Sequence, residues 1–175
     1  MEYSVVHFPP EDVRAVARHY QEPYAASLEV NIEPHFTIHP VFESDRSIEA
    51  FAAILKDVCS RLKPFKARLT GFDSFYGQKF VLFMRLADET RMAELQEKID
   101  TAITEKDWKD VLGPGTKPRP HLTIGFFEKR EELEQAKANL ADEKIDLVWM
   151  VDAVDLIAEV KPAVRESVGT FRLEG

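Results

Sequence analysis

The pentapeptide Pro-His-x-Thr-Ile occurs twice, as Pro34-His35-Phe36-Thr37-Ile38 and as Pro120-His121-Leu122-Thr123-Ile124. Each copy sets an imidazole and a hydroxyl two residues apart. In an extended strand, residues i and i+2 share a face. Each copy therefore offers one His beside one Thr and turns Phe36 and Ile38, or Leu122 and Ile124, to the other side. Two such strands facing each other bring together two histidines and two hydroxyls. A four-of-five match in a chain of this length arises by chance about one time in ten. This one draws on His, of which the chain has five, and both copies lie in stretches that read independently as strands.

Those four side chains suit acid–base chemistry on a phosphate. An ordinary His titrates at about pH 6.5, so at neutral pH one of a pair can be charged while the other is not. The neutral ring takes a proton from the attacking water, and the charged ring gives one to the leaving oxygen. Each role contributes about 10²–10⁴-fold. The Thr hydroxyls can donate to the phosphoryl oxygens as charge develops there. A metal centre fits less well. Simple alternation puts His39 on the face of His35 and Thr37, where His121 could join them. But His35 and His39 then lie about 13 Å apart along the strand, and Pro34 and Pro40 argue against a helix. There is no Cys pair and no His-Glu-x-x-His. The expectation is chemistry without a metal or cofactor. His7 and His19 show no partner pattern and receive no role.

The elements that must position this equipment follow from periodicity and capping. Tyr3–Phe8 reads as a strand, ended by Pro9-Pro10, with a helix from Glu11 to Tyr20 after it. Residues 21–33 read as irregular. The first motif strand is His35–Phe42, with Pro40 marking an edge or a bulge. Ser44, Asp45 and Ser47 are candidate caps for a helix striped by Ile48, Phe51, Leu55, Val58, Cys59 and Leu62. Strands at Phe65–Phe72 and Lys79–Leu86 flank a turn around Ser74–Gly77. A helix from Glu89 to Thr104, a loop over Asp110–Pro120 and the second motif strand His121–Phe127 follow. Then come a helix near Arg130–Leu140 and strands near Ile145–Val151, Ala153–Val160 and Val168–Leu173. Each motif strand is followed by a helix and more strands, as in a diverged duplication. The fold class expected is α+β: two lobes, each a mostly antiparallel sheet backed by helices, forming one bilobal domain over residues 1–175 with a central cleft.

Composition bounds the function. Lys and Arg number 23 against 31 Asp and Glu, a net charge of −8, which speaks against a long nucleic acid as the main partner. A small anion, or one end of an RNA, needs only a local basic pocket. The single cysteine, Cys59, allows no intrachain disulfide and reads as a core residue. The first residues have no signal-peptide pattern and no apolar run reaches 18 residues. The expectation is a cytoplasmic monomer with no membrane partner.

With these motifs in place, the chain resembles the two-histidine (2H) phosphoesterase superfamily, which includes the 2′-5′ RNA ligase and RNA cyclic phosphodiesterase proteins. The likeness spans the opening strand ending Phe8-Pro9-Pro10, both His-x-Thr motifs, their separation and the closing strands. It is strongest to short bacterial phosphoesterase-like members. The resemblance implies a bilobal fold and metal-independent hydrolysis of a 2′,3′-cyclic phosphate or related nucleotide or RNA-end ester. It implies that His35 and His121 are the catalytic acid–base pair. The sequence does not assign the two roles between them; the order favoured here has His121 activating water and His35 protonating the leaving oxygen. Thr37 and Thr123 become the phosphate-binding hydroxyls. His39-Pro40-Val41-Phe42 stands where RNA-ligating members carry Phe-Leu-Gly, so ligation is the less favoured activity. A nucleotide-binding module with little turnover is a further alternative. Further substrate-binding candidates are Arg119 and Lys117, which precede the second motif and could reach a phosphate, and Phe75 and Tyr76, which could stack on a base. The other readings of these residues are a solvated loop and packing over the lobe's core.

Overall fold

A computed structural model describes residues 1–28, 32–77, 79–103 and 119–175. Strand β1 (Glu2–His7) leads through Pro9-Pro10 into helix α1 (Glu11–Gln21), whose first turn carries Glu11 and Asp12 and whose last carries Arg18 and His19, both favourable to the helix dipole. The stretch expected to be irregular contains a 3₁₀ helix over Glu22–Ser27. Strand β2 (Phe36–Glu43) follows, then α2 (Ile48–Cys59), whose cap Ser47 accepts from the Ala50 amide at 3.3 Å. Next come β3 (Phe65–Tyr76), β4 (Phe80–Leu86) and α3 (Thr90–Ile103). Strand β5 (Leu122–Phe127), α4 (Arg130–Asn139), β6 (Leu147–Val151), β7 (Ala153–Lys161) and β8 (Val164–Arg172) complete the chain. The expected Asp110–Pro120 loop lies outside the described residues up to position 118. Among the described residues, no helix is long and apolar enough to cross a membrane.

The chain is α+β, but the expected pair of sheets is one. Eight antiparallel strands run in the order β6-β3-β4-β5-β2-β1-β7-β8. The motif strands do not face each other from separate sheets. They are neighbours, and they join two four-stranded halves where Phe36 pairs with Leu122. The sheet also curls. Strands lie about 4.8 Å apart, so β6 and β1, five steps apart in the order, would be about 24 Å apart in a flat sheet. Yet the ring of Trp149 in β6 lies 6.4 Å from that of His7 in β1 and 5.7 Å from that of Phe36 in β2. The buried core fills the Phe36 side of the sheet. Phe36, Ile38, Leu122 and Ile124 meet Phe51, Leu55 and Cys59 of α2 and Met92, Leu95 and Ile99 of α3 in one apolar cluster.

Two bulges shape β2. Val6 pairs with Thr37 but Val5 with His39, and Tyr3 pairs with Phe42. The first extra residue, at Ile38, turns His39 away from the Thr37 face. His39 is 1% exposed and packs edge-on against Phe42 at 4.8 Å, so the alternation that set it beside His35 and Thr37 is broken. Pro40 falls within the second irregularity, between the Val5–His39 and Tyr3–Phe42 pairs, where it is not a paired position of the ladder.

Candidate active site

The seam register places the motif side chains. Phe36 opposite Leu122, carried one residue each way, sets His35 opposite Thr123 and Thr37 opposite His121. All four lie on the face away from the core and line one cleft of about 430 Å³. Cross-strand partners are about 4.5–5.5 Å apart and diagonal ones about 7–8 Å. The two histidines form one diagonal and the two threonines the other. A single phosphate can meet all four.

Each imidazole is held in the same way. His35 donates Nδ1–H to the Glu33 carbonyl at 2.8 Å, and His121 donates Nδ1–H to the Arg119 carbonyl at 2.7 Å. A carbonyl only accepts, so the proton of each neutral ring sits on Nδ1 and leaves Nε2 for a ligand. The carbonyls belong to residues that are themselves anchored. The Glu33 carboxylate is gripped by Arg18 and lies 3.8 Å from Arg14, both on α1. The Arg119 guanidinium donates to Glu89 at 2.6 Å and to Asp73 at 3.3 Å.

Helix side chains complete the symmetry. Gln96 of α3 donates its amide to the Thr37 carbonyl at 2.8 Å, and Gln21 of α1 donates to the Thr123 carbonyl at 2.8 Å. Each helix thus reaches across to the motif strand of the other half. Nothing in the two motifs foretold the glutamines, although a Gln on a helix's apolar side is a signal that a buried acceptor needs it.

The two rings differ in surroundings. Burial pushes both below the ordinary His value, and the carbonyl bonds partly oppose this. His121 is lowered further by the charges of His35 and Arg119. Phe75 stands edge-on to His121 at 4.9 Å and Phe83 lies 5.2 Å away, whereas Phe8 lies 6.1 Å from His35.

The other candidates divide. Phe75 reaches the site as a wall on His121, stacked on Phe83 at 4.3 Å. It belongs to β3, which runs through the stretch expected to be a turn. Tyr76, next along the strand, points elsewhere: its hydroxyl donates to Glu134 and accepts from Lys137 at 2.8 Å, both on α4. Arg119 is not among the cleft-lining residues, being held by its two carboxylates. Lys117 lies outside the described residues. The sequence reading missed Ser4, Val6, Glu33 and Arg165, which also line the cleft. No motif announces them: Ser4, Val6 and Arg165 arrive from strands remote in sequence, and Glu33, two residues before His35, lies in the stretch that read as irregular.

A fold of this kind with paired His-x-Thr strands defines a class. The profile of the 2′-5′ RNA ligase superfamily matches residues 8–162, and the chain belongs to that superfamily. Similar proteins include "Putative phosphoesterase BH1439" of Halalkalibacterium halodurans, 24% identical over 99% of this chain and 98% of its own length. Another is "Putative phosphoesterase GK0864" of Geobacillus kaustophilus, 26% identical over 100% and 98%. Among solved structures, TT0787 of Thermus thermophilus shares the fold at a TM-score of 0.69 and 22% identity, covering 100% of this chain and 99% of its own. E. coli LigT complexed with 3′-AMP does so at 0.65 and 14%, covering 99% and 98%.

Proposed function

We propose that the chain is a phosphoesterase that opens a 2′,3′-cyclic phosphate, or a related ester at a nucleotide or RNA end, by two-histidine acid–base catalysis, and that residues 1–175 work as one bilobal, monomeric unit. The observation that carries the reading is the shared geometry of His35 and His121: diagonal on one face, each Nδ1 committed to a carbonyl, each Nε2 left for the cleft. The names of the similar proteins and the 3′-AMP bound by E. coli LigT support a phosphate-bearing nucleotide as the ligand.

In the proposed reaction a water loses its proton to one neutral Nε2 and its oxygen bonds to phosphorus. The bond from phosphorus to one ribose oxygen breaks, and the protonated second ring gives that oxygen its proton. The product is a phosphate monoester beside a free hydroxyl. Thr37 and Thr123 donate to the non-bridging oxygens. The Arg119 charge disfavours a second charge on His121, so His121 serves as the base and His35 as the acid. Both proton transfers come from side chains, so no metal is required.

The test is turnover of adenosine 2′,3′-cyclic phosphate with and without a chelator, in the wild type, His35→Ala and His121→Ala. Chelator-insensitive turnover that falls by about 10² or more in each variant is expected. Full activity in both variants overturns the reading. A nucleotide-binding module is the second reading, favoured by the capture of ATP and NADP+ as well as 3′-AMP in E. coli LigT. Thermal stabilisation by nucleotides without any product would select it. RNA ligation fits less well with a net charge of −8.

A further inference from the structure

We propose that the cleft carries a second anion site at Arg165, and that its preferred ligand is therefore a short oligonucleotide end and not a mononucleotide. The inference rests on the phosphoesterase reading for what happens at the histidines, but its own basis is the shape and charge of the cleft away from them.

Arg165 comes from β8, at the edge of the sheet, and among the described residues lining the cleft it is the one Lys or Arg. Its guanidinium is not spent in the core. It meets the Glu2 carboxylate at 2.5 Å, with the two side chains 26% and 33% exposed. A carboxylate oxygen at that distance stands where a phosphate oxygen would bind, and Arg suits phosphate through paired N–H donors. In a protein of net charge −8 such a cation facing the cleft is a local exception.

The register gives the spacing. Thr37 pairs with Val6 on β1, and Glu2 lies four residues further along that strand. The Glu2–Arg165 pair is therefore about 13 Å along the strands from the phosphate position at Thr37. The lining between the two ends is continuous. Val6 and Ser4 of β1 and Pro40 and Val41 of β2 run from one to the other, with Phe126, Leu28 and Ile32 also facing the cleft. Anion sites at two ends with mostly apolar walls between them match alternating phosphates and bases. The spacing exceeds what two phosphates on one ribose can span, and suits phosphates separated by two nucleotide units of an extended strand. Glu2 holds the guanidinium until the ligand displaces it.

The experiment compares kcat/KM for adenosine 2′,3′-cyclic phosphate and for an adenosine trinucleotide ending in the same cyclic phosphate, at one salt concentration. The wild type is expected to prefer the trinucleotide roughly tenfold, the worth of one charge-assisted hydrogen bond. In Arg165→Gln the ratio falls to about one, and in Glu2→Gln, which frees the guanidinium, it rises. Equal use of the two substrates by the wild type, or a preference that survives Arg165→Gln, overturns the proposal. If the wild type turns over neither, the phosphoesterase reading fails, and binding decides the second site separately. Titration with adenosine 3′-phosphate and with the 3′-phosphorylated trinucleotide then shows an Arg165-dependent preference, or its absence refutes the site.

Discussion

Phe36 lies directly opposite Leu122 where β2 meets β5, and this pair is why the two motifs make one site. Both side chains are fully buried in the core. Their neighbours in sequence must turn to the other face. Burial of two apolar residues thus fixes the positions of two histidines and two threonines, none of which needs to pack well itself. The rigid part of the site is on the side away from the chemistry.

Removing a hydroxyl from this arrangement should affect rate more than fold. Thr37→Val and Thr123→Val keep the branched shape that strands favour. If the hydroxyls donate to the phosphoryl oxygens, kcat falls by about 10²–10³ in either variant, as when an oxyanion donor is removed elsewhere. Steady-state kinetics on a cyclic nucleotide, with circular dichroism to confirm the fold, measures this. Unchanged kcat in both would remove the threonines from the mechanism.

The pH dependence has a definite sign. The working state needs one ring charged and one neutral. Burial pushes both His35 and His121 below their ordinary value, so the bell in kcat/KM for the free enzyme centres below about pH 6.5. The Arg119 charge holds His121 lower still. In Arg119→Gln that charge is gone, His121 titrates higher, and the acidic limb moves up in pH. A pH–rate series on the two proteins checks both shifts.

Much of this was legible in the sequence. The motif strands follow from period-two alternation behind a proline, and the helices of the described residues from apolar stripes, from candidate caps before α2, or, for α1 and α4, from acidic first turns. What was not legible depends on pairing between distant segments. Nothing local to β2 or β5 says that they are neighbours, so one curled sheet read as two. The bulge at Ile38 costs one residue of register and reverses the face of His39, which strict alternation cannot show. Arg165 joins the cleft only because β8 lies beside β7 and β7 beside β1. The carbonyls that hold the two imidazoles are backbone groups, which residue type does not reveal.

Gln96 offers a test of how the seam is stabilised. It is 5% exposed, and its amide satisfies the Thr37 carbonyl. Gln96→Leu fills similar space but leaves that acceptor unpaired, at a cost of about 1–3 kcal/mol. Gln21→Leu, at a glutamine that is itself less buried than Gln96, costs less. Urea unfolding of the two variants should rank them in that order, with Gln96→Leu also lowering kcat because Thr37 loses its anchor.

His7 received no role from the sequence, yet it ties the far edge of the sheet back to its middle. It donates Nδ1–H to the Ala153 carbonyl at 2.8 Å, and its Nε2 accepts from Trp149 Nε1–H at 2.9 Å. Only the neutral ring can make both bonds at once, because a proton on Nε2 would face the indole N–H. Burial holds His7 below its ordinary value, against the opposing pull of the Ala153 carbonyl, Asp152 and Asp155. The unfolded chain takes up the proton at about pH 6.5 and the folded one only lower. Stability is therefore complete above about pH 6.5 and falls as pH drops below it, by up to about 1.4 kcal/mol per pH unit for each such histidine. His35, His39 and His121 share the direction, so His7→Leu should lessen the slope without abolishing it. At neutral pH the same variant strands the indole N–H and the Ala153 carbonyl and costs about 2 kcal/mol or more. Trp149→Phe strands only the His7 acceptor and costs less. If the bond between the two rings is what closes the curl, the double variant costs less than the sum of the single ones. Strict additivity in urea unfolding would show that the rings contribute by packing alone.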